Sequence, residues 1–410
     1  MAAPLPLGDK PPENGLFSST ETIGSESRSF HAYVHIPFCT VKCGYCDFNT
    51  YTSNELGTLK QSDFAATLVG EITLSAKILK QSNVATRKLK TVFFGGGTPS
   101  LLPAADLIAI LDSLEAEFDF QQDTEITFEA NPDSVTKESL SSLRAAGFNR
   151  ISIGMQSAVP EVLKTLERTH NPENVSVALE IAKSLGFRTS LDLIFGAPGE
   201  TLQQWEQTVL QVIELDPGHL SAYSLIVEPG TKLARQIHSG ELAQVDEDLQ
   251  ADKYELADKL LSEAGYNWYE ISNWSKSEDL KSNHNLAYWG GQDWWGYGPG
   301  AHSHLGSVRW WNHKHPLSYA NLLDKDISPA AGREQLDSET SALERILLES
   351  RTSAGMSIEQ IKKLQPGSEL AISQLIADGL IEGPQAIAGR LLLTLKGRLL
   401  ADAVVRALSS

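Results

Sequence analysis

From residue 30 to about 226, short apolar runs alternate with amphipathic stretches, and this alternation constrains the fold more than any other feature. The runs "FHAYVHI" (30–36), "KTVFFGG" (90–96), "EITFEA" (125–130), "RISIGMQ" (150–156), "RTSLDLIF" (188–195) and "HLSAYSLI" (219–226) have the length and composition of strands. Helical periodicity lies between them at 103–118, 136–146, 172–185 and 201–214. Pro103 and Pro172 stand at first-turn positions, where a missing N–H costs nothing, and Gly147 and Gly186 stand where helices end. Strand–helix repetition at this spacing predicts an α/β fold on a parallel sheet, either an incomplete (β/α)6 barrel or an open doubly wound sheet. In both, ligands bind beyond the C-terminal ends of the strands. Cys39, Gly95–Gly97, Glu129 and Gln156 fall at such ends, so one site is expected there.

The remainder divides by composition. Residues 1–29 hold Pro4, Pro6, Pro11 and Pro12 and then a Ser/Thr/Glu/Gly run, which can bury little and predicts a disordered tail. The stretch lacks the apolar centre of a secretory signal, and Asp9, Glu13, Glu21 and Glu26 make it too acidic for a transit peptide. A helix at 246–264 and a strand at 267–272 extend the core domain to 30–272. Residues 273–330 turn to Trp, His, Gly and Asn. Three short helices (341–350, 357–364, 368–379), a hairpin (380–394) and a last helix (396–408) give 331–410 the order of a winged helix. Glu339 to Arg406 carries eight basic and eight acidic residues, and the whole chain has a net charge of −18. Neither offers the basic footprint that nucleic acid requires, so a packing role is expected for this domain. No apolar run is long enough to cross a membrane.

The only three cysteines, Cys39, Cys43 and Cys46, lie within eight residues. An odd number cannot form a fully paired disulfide framework, so metal ligation in a reducing, cytoplasmic setting is the better reading. A structural zinc wants four ligands, and His35 could supply the fourth. Iron–sulfur clusters take thiolates, and three of them on a cubane leave one iron open to a small molecule. Cys-x3-Cys-x2-Cys, with Tyr45 before the last cysteine, resembles the signature of the radical S-adenosylmethionine (SAM) enzymes. The resemblance implies an incomplete (β/α)6 barrel and a [4Fe–4S] cluster on Cys39, Cys43 and Cys46. It further implies SAM on the open iron and an electron donor for the cluster. "FFGGGTPS", "FEANPD", "GMQS", "LERTHN" and "LDLIFGAPGET" continue the resemblance. They imply SAM contacts at Gly96, Gly97, Thr98, Glu129, Gln156, Arg168 and Asp192, with Tyr33 and Tyr45 beside them.

From about residue 31 to the C-terminus the pattern resembles the oxygen-independent coproporphyrinogen III oxidase-like family, its winged-helix-like end included. The oxidase branch carries a further cysteine two positions after the third ligand. Here that position is Phe48, and "CDF" resembles instead the branch regarded as haem chaperones. "HNLAYW" (284–289) matches the H-N-x-x-Y-W motif with which that branch binds haem, which implies haem contact at His284. Imidazole is a common axial ligand, and aromatic rings can cover a flat macrocycle. Five of ten histidines (His284, His302, His304, His313, His315) and five of eight tryptophans fall between 284 and 315. "HSH" and "HKH" have strand spacing suited to a shared metal, although solvated loop histidines are the simpler reading. The expected partners are haem, haem-accepting proteins and an electron donor. A homodimer would shield an open cluster. Coproporphyrinogen III decarboxylation is the rival activity, and the cysteine missing at 48 stands against it.

Overall fold

Strand and helix limits follow the sequence pattern closely in the first half of the chain. In the computed structural model, which describes residues 8–52 and 60–409, β1 spans Phe30–Ile36, α1 Phe64–Gln81, β2 Leu89–Gly96 and α2 Ala104–Phe118. β3 is Phe120–Ala130, α3 Lys137–Ala145, β4 Arg150–Gln156, α4 Pro160–Thr165, α5 Glu173–Ser184, β5 Arg188–Phe195, α6 Leu202–Leu215 and β6 Gly218–Ser224. Each strand from β1 to β6 pairs in parallel with the next. Thr136 and Thr201 start α3 and α6 with capping boxes, which satisfy first-turn N–H groups. Phe30, Ala32, Val34 and Ile36 join Phe64, Leu68 and Ile72 of α1 in the main core. Alternation along the strand therefore turns His31, Tyr33 and His35 to the other face.

Downstream come α7 (Lys232–His238), α8 (Glu247–Glu263), β7 (Asn267–Glu270), β8 (Asn273–Ser275) and α9 (Asn283–Trp289). They are followed by β9 (Asp293–Tyr297), β10 (His302–Leu305), β11 (Val308–Asn312) and β12 (Ala330–Gln335). All twelve strands form one mixed sheet in the order β12-β11-β10-β9-β1-β2-β3-β4-β5-β6-β8-β7, open at both edges. β9 runs parallel to β1, so residues 293–335, which take in much of the extension expected at 273–330, continue the central sheet. Trp295, Tyr297, Val308 and Trp310 belong to the main core.

The expected tail is ordered over residues 8–29; residues 1–7 lie outside the described residues. Phe17 packs on Trp295 and Trp310, with ring centroids 6.2 and 5.2 Å away. Arg28 Nη1 pairs with Asp293 at 3.1 Å, and the Asp9 N–H donates to the Arg333 carbonyl at 2.6 Å. The segment is a strap across β9–β12. Its composition buries little by itself, but the sheet supplies the partner surface.

Residues 338–408 build a second core around Ile346, Met356, Ile361, Leu375, Leu391 and Val404. Three helices occur as expected, at Ser338–Glu349, Ile358–Leu364 and Glu369–Ala377. The expected hairpin at 380–394 is reduced to one antiparallel bridge, Ile381–Leu393, where the Glu382 N–H donates to the Leu392 carbonyl at 2.9 Å and the Thr394 N–H to the Leu380 carbonyl at 3.1 Å. A helical turn with Pro384 at its start, Gly383–Ile387, interrupts it, and Arg390–Leu391 pairs with Met356–Ser357. The last helix breaks into Leu395–Leu399 and Ala401–Leu408. Arg398 docks this unit on α8 through two 2.8 Å bonds to Asp258. Among the described residues no helix is long and apolar enough to cross a membrane.

Candidate functional site

The inner faces of β2–β6 and the cysteine loop line one cavity of about 610 Å³, so the sheet curls around it. Cys39, Cys43 and Cys46 all border this cavity as free, partly buried thiols. Burial raises the thiol pKa of Cys39 and of Cys46. The Gly97 and Thr98 N–H groups donate to the carbonyls of Ile36 and Phe38 at 2.7 and 2.8 Å, tying the end of β2 to the loop. A Cβ on Gly97 would lie 2.6 Å from the Phe38 carbonyl oxygen, so only glycine allows this approach. Arg168 Nη1 lies 3.8 Å from Cys43 Sγ and donates toward it. Among the described residues no three His, Cys, Asp or Glu side chains converge closely enough for a single metal ion. Three soft donors spread around one cavity fit a multi-iron cluster better than a lone zinc.

Two carboxyl groups face the same space. Glu129 Oε2 accepts the Gly96 N–H at 3.1 Å, and Ser152 donates to both oxygens of Asp192 at 2.9 and 2.8 Å. Burial, then the charge of Asp192, pushes the Glu129 carboxyl up to about 8, and burial also raises Asp192. Buried carboxyls held this way create a demand for a cation. A Cβ on Gly154 would lie 2.8 Å from both Arg168 Nη2 and Gln156 Nε2, so glycine leaves room for those two side chains. Gln156 has φ 64°, a left-handed conformation that costs a non-glycine residue energy and recurs at functional sites.

Tyr45, Gly96, Gly97, Thr98, Glu129, Gln156, Arg168 and Asp192 all line the cavity with the cysteines. Tyr33 does not. Its hydroxyl lies 3.1 Å from His35 Nδ1 and its ring stacks on Phe93, which does line the cavity. Arg150, Ser190, His219, Ser221 and Tyr223 also border it, and sequence reasoning passed over them. The period-two run of polar residues along β4–β6 was the available signal. His219 is buried between Ser190 and Tyr269, each 2.7 Å from one ring nitrogen, and burial holds its pKa well below the usual value.

His284 lies on α9, outside the cavity lining. The Asn283 and His284 N–H groups at the start of α9 donate to the buried Glu125 carboxylate at 3.2 and 3.0 Å. The imidazole is 1% exposed, with Nδ1 2.6 Å from the Thr91 hydroxyl and Nε2 2.9 Å from the Tyr288 hydroxyl. It also stacks on Phe93 at 5.0 Å. Both ring nitrogens are engaged by hydroxyl groups in this arrangement. The motif could not show that α9 seats its first turn on Glu125 and buries the ring.

The radical SAM superfamily profile matches residues 33–212. Heme chaperone HemW of Mycobacterium tuberculosis is 44% identical over 380 residues, spanning 92% of this chain and 94% of that protein. Heme chaperone HemW of Bacillus subtilis is 33% identical over 380 residues, spanning 91% and 97%. The solved structure of coproporphyrinogen III oxidase HemN from Escherichia coli, a radical SAM enzyme, has the same fold. Its TM-score is 0.79 at 24% identity, over 93% of this chain and 90% of that one. The chain belongs to the radical SAM superfamily and, within it, to the HemW family. Membership implies a [4Fe–4S] cluster and SAM.

Proposed function

We propose that this chain is a cytoplasmic haem chaperone, which binds haem and hands it to acceptor proteins. A [4Fe–4S] cluster on Cys39, Cys43 and Cys46, with SAM beside it, belongs to this reading. So do an electron donor and a second copy of the chain that shields the cluster. The observation that carries the choice over porphyrin oxidation is Phe48. It borders the cavity and is 61% exposed, at the position where the oxidase branch has a further cysteine. An apolar ring there cannot move a proton to or from a substrate.

When bound, the cluster would supply single electrons to SAM. The chain's own residues bind and orient. Glu129 and Asp192 would meet the positive charges of SAM, Arg168 would meet its carboxylate, and the Gly96–Thr98 backbone and Gln156 would border its polar edges. Tyr45, within the cysteine loop, packs against the apolar cluster of Val159, Val162 and Leu166 and so holds the loop in place.

Anaerobic reconstitution, followed by absorbance and electron paramagnetic resonance with SAM and then haem added, tests this reading. The expected outcome is a cluster signal perturbed by SAM, with stoichiometric haem uptake and transfer to an apo-haemoprotein. Anaerobic loss of carbon dioxide from coproporphyrinogen III would replace it with the oxidase reading.

A further inference from the structure

The cavity continues inward past the residues assigned to SAM. Arg150, at the start of β4, stands at its floor, which Ser282 and Asn285 close from the start of α9. Arg150 is 2% exposed. Its Nη1 donates to the Leu280 and Lys281 carbonyls at 2.8 and 3.3 Å, whereas Nη2 is buried with no partner among the described residues. Thr127, its register partner on β3, has a buried hydroxyl that is unpartnered in the same way. Ser190 adds a third donor through the tautomer of His219, whose ring burial keeps neutral. The Tyr269 hydroxyl accepts the Ser282 N–H at 3.2 Å, and for its own proton the one acceptor it meets among the described residues is His219 Nε2. His219 therefore carries its proton on Nδ1 and donates it to Ser190 Oγ, which leaves the Ser190 proton free to point into the cavity.

We propose that this floor is a second ligand subsite, which takes the carboxylate of a small organic acid against Arg150 Nη2, Ser190 and Thr127. It is separate from the SAM contacts and does not rest on haem uptake. Charge and hydrogen bonding both call for an anion. Arg150 and Arg188 lie 3.8 and 3.6 Å from the same Glu125 oxygen, and that carboxylate also accepts the Asn283 and His284 N–H groups. Two guanidiniums against one carboxylate leave one positive charge over, and buried charges are ordinarily paired. A monocarboxylate supplies that charge. Asp192, two residues nearer the cysteine loop along β5, has both oxygens occupied by Ser152. Buried donors without acceptors are costly, and a carboxylate brings lone pairs for all of these. The residues assigned to SAM take the side of the cavity toward the cysteines, so the floor suits a small acid.

Thermal unfolding of the full chain, reconstituted with its cluster and SAM and titrated with sodium propionate, tests this proposal. Propionamide, which keeps the shape without the charge, and sodium chloride at equal ionic strength serve as comparators. Propionate should raise the midpoint saturably, and neither comparator should. Thr127→Val and Ser190→Ala should each weaken propionate binding roughly tenfold, the scale of one hydrogen bond to a charged group. SAM should still perturb the paramagnetic signal of the cluster in both variants, which shows that they fold. Arg150 also supports Glu125, so these two variants carry the test and Arg150→Gln does not. A propionate effect no larger than that of chloride overturns the proposal. So does an undiminished effect in the Thr127→Val, Ser190→Ala double variant. Either failure leaves the chaperone reading standing, because haem uptake by the parent is measured separately.

Discussion

Lys253 Nζ lies 2.9 Å from Glu200 Oε2, and both side chains are buried. The ammonium also donates to the Glu200 carbonyl at 2.7 Å, while the same carboxylate accepts the Gly196 N–H at 2.7 Å. The pair fastens α8 to the turn after β5, the strand that carries Asp192. Removing one partner strands a buried charge. Lys253→Ala should therefore cost about 3–5 kcal/mol, and Lys253→Met with Glu200→Gln should cost much less. Urea unfolding of both variants checks this. Equal losses would mean that the two groups are not coupled.

The strap makes a second prediction. Phe17 sits in the angle between Trp295 and Trp310, and Arg333 lies over its other side at 5.2 Å. Phe17→Ala should lower stability by about 3–5 kcal/mol, as large aromatic truncations in cores do. Thermal unfolding measures it, and a surface-like effect near zero would return residues 8–29 to the status of a loose tail.

Gly97→Ala tests the contact between β2 and the cysteine loop. The added methyl would meet the Phe38 backbone, which cannot swing away as a side chain can. Overpacking of this kind costs about 1–3 kcal/mol. The strain falls one residue before Cys39, so cluster reconstitution, read near 400 nm, should fall more than overall stability. Full cluster loading in this variant would show that the loop position is not set by Gly97.

The central units were legible because their signals are local. β1, β4 and β5 begin and end where the alternation of "FHAYVHI", "RISIGMQ" and "RTSLDLIF" does. The cavity residues were legible because chemistry-bearing types recur at strand ends. What escaped depends on distant partners. Nothing in residues 293–297 announces parallel pairing with β1, more than 250 residues earlier. Arg28 and Phe17 look solvent-bound until Asp293, Trp295 and Trp310 are brought beneath them. His284 illustrates the limit best. Its motif could be read, but Glu125 and Thr91, which bury the ring, lie on strands more than 150 residues away.

Glu129 gives a pH dependence of definite sign. In the protein without a bound cation its carboxyl titrates at about 8, against an ordinary value of 4.5, so near neutral pH it is largely protonated. Its folded pKa is raised, so its contribution to stability is fully present below 4.5 and is lost as pH rises through about 8. A cationic ligand reverses the preference, because pairing requires the carboxylate. SAM binding to the reconstituted protein should therefore release about one proton at neutral pH, and affinity should rise with pH and level off above the folded pKa. Calorimetry in two buffers of different ionisation enthalpy counts the proton. Glu129→Gln should abolish the release and flatten the pH profile, while the cluster absorbance stays. If Glu129→Gln releases the same proton as the parent, the titrating group is another one, and Asp192, raised by burial in the same cavity, is the residue to substitute next.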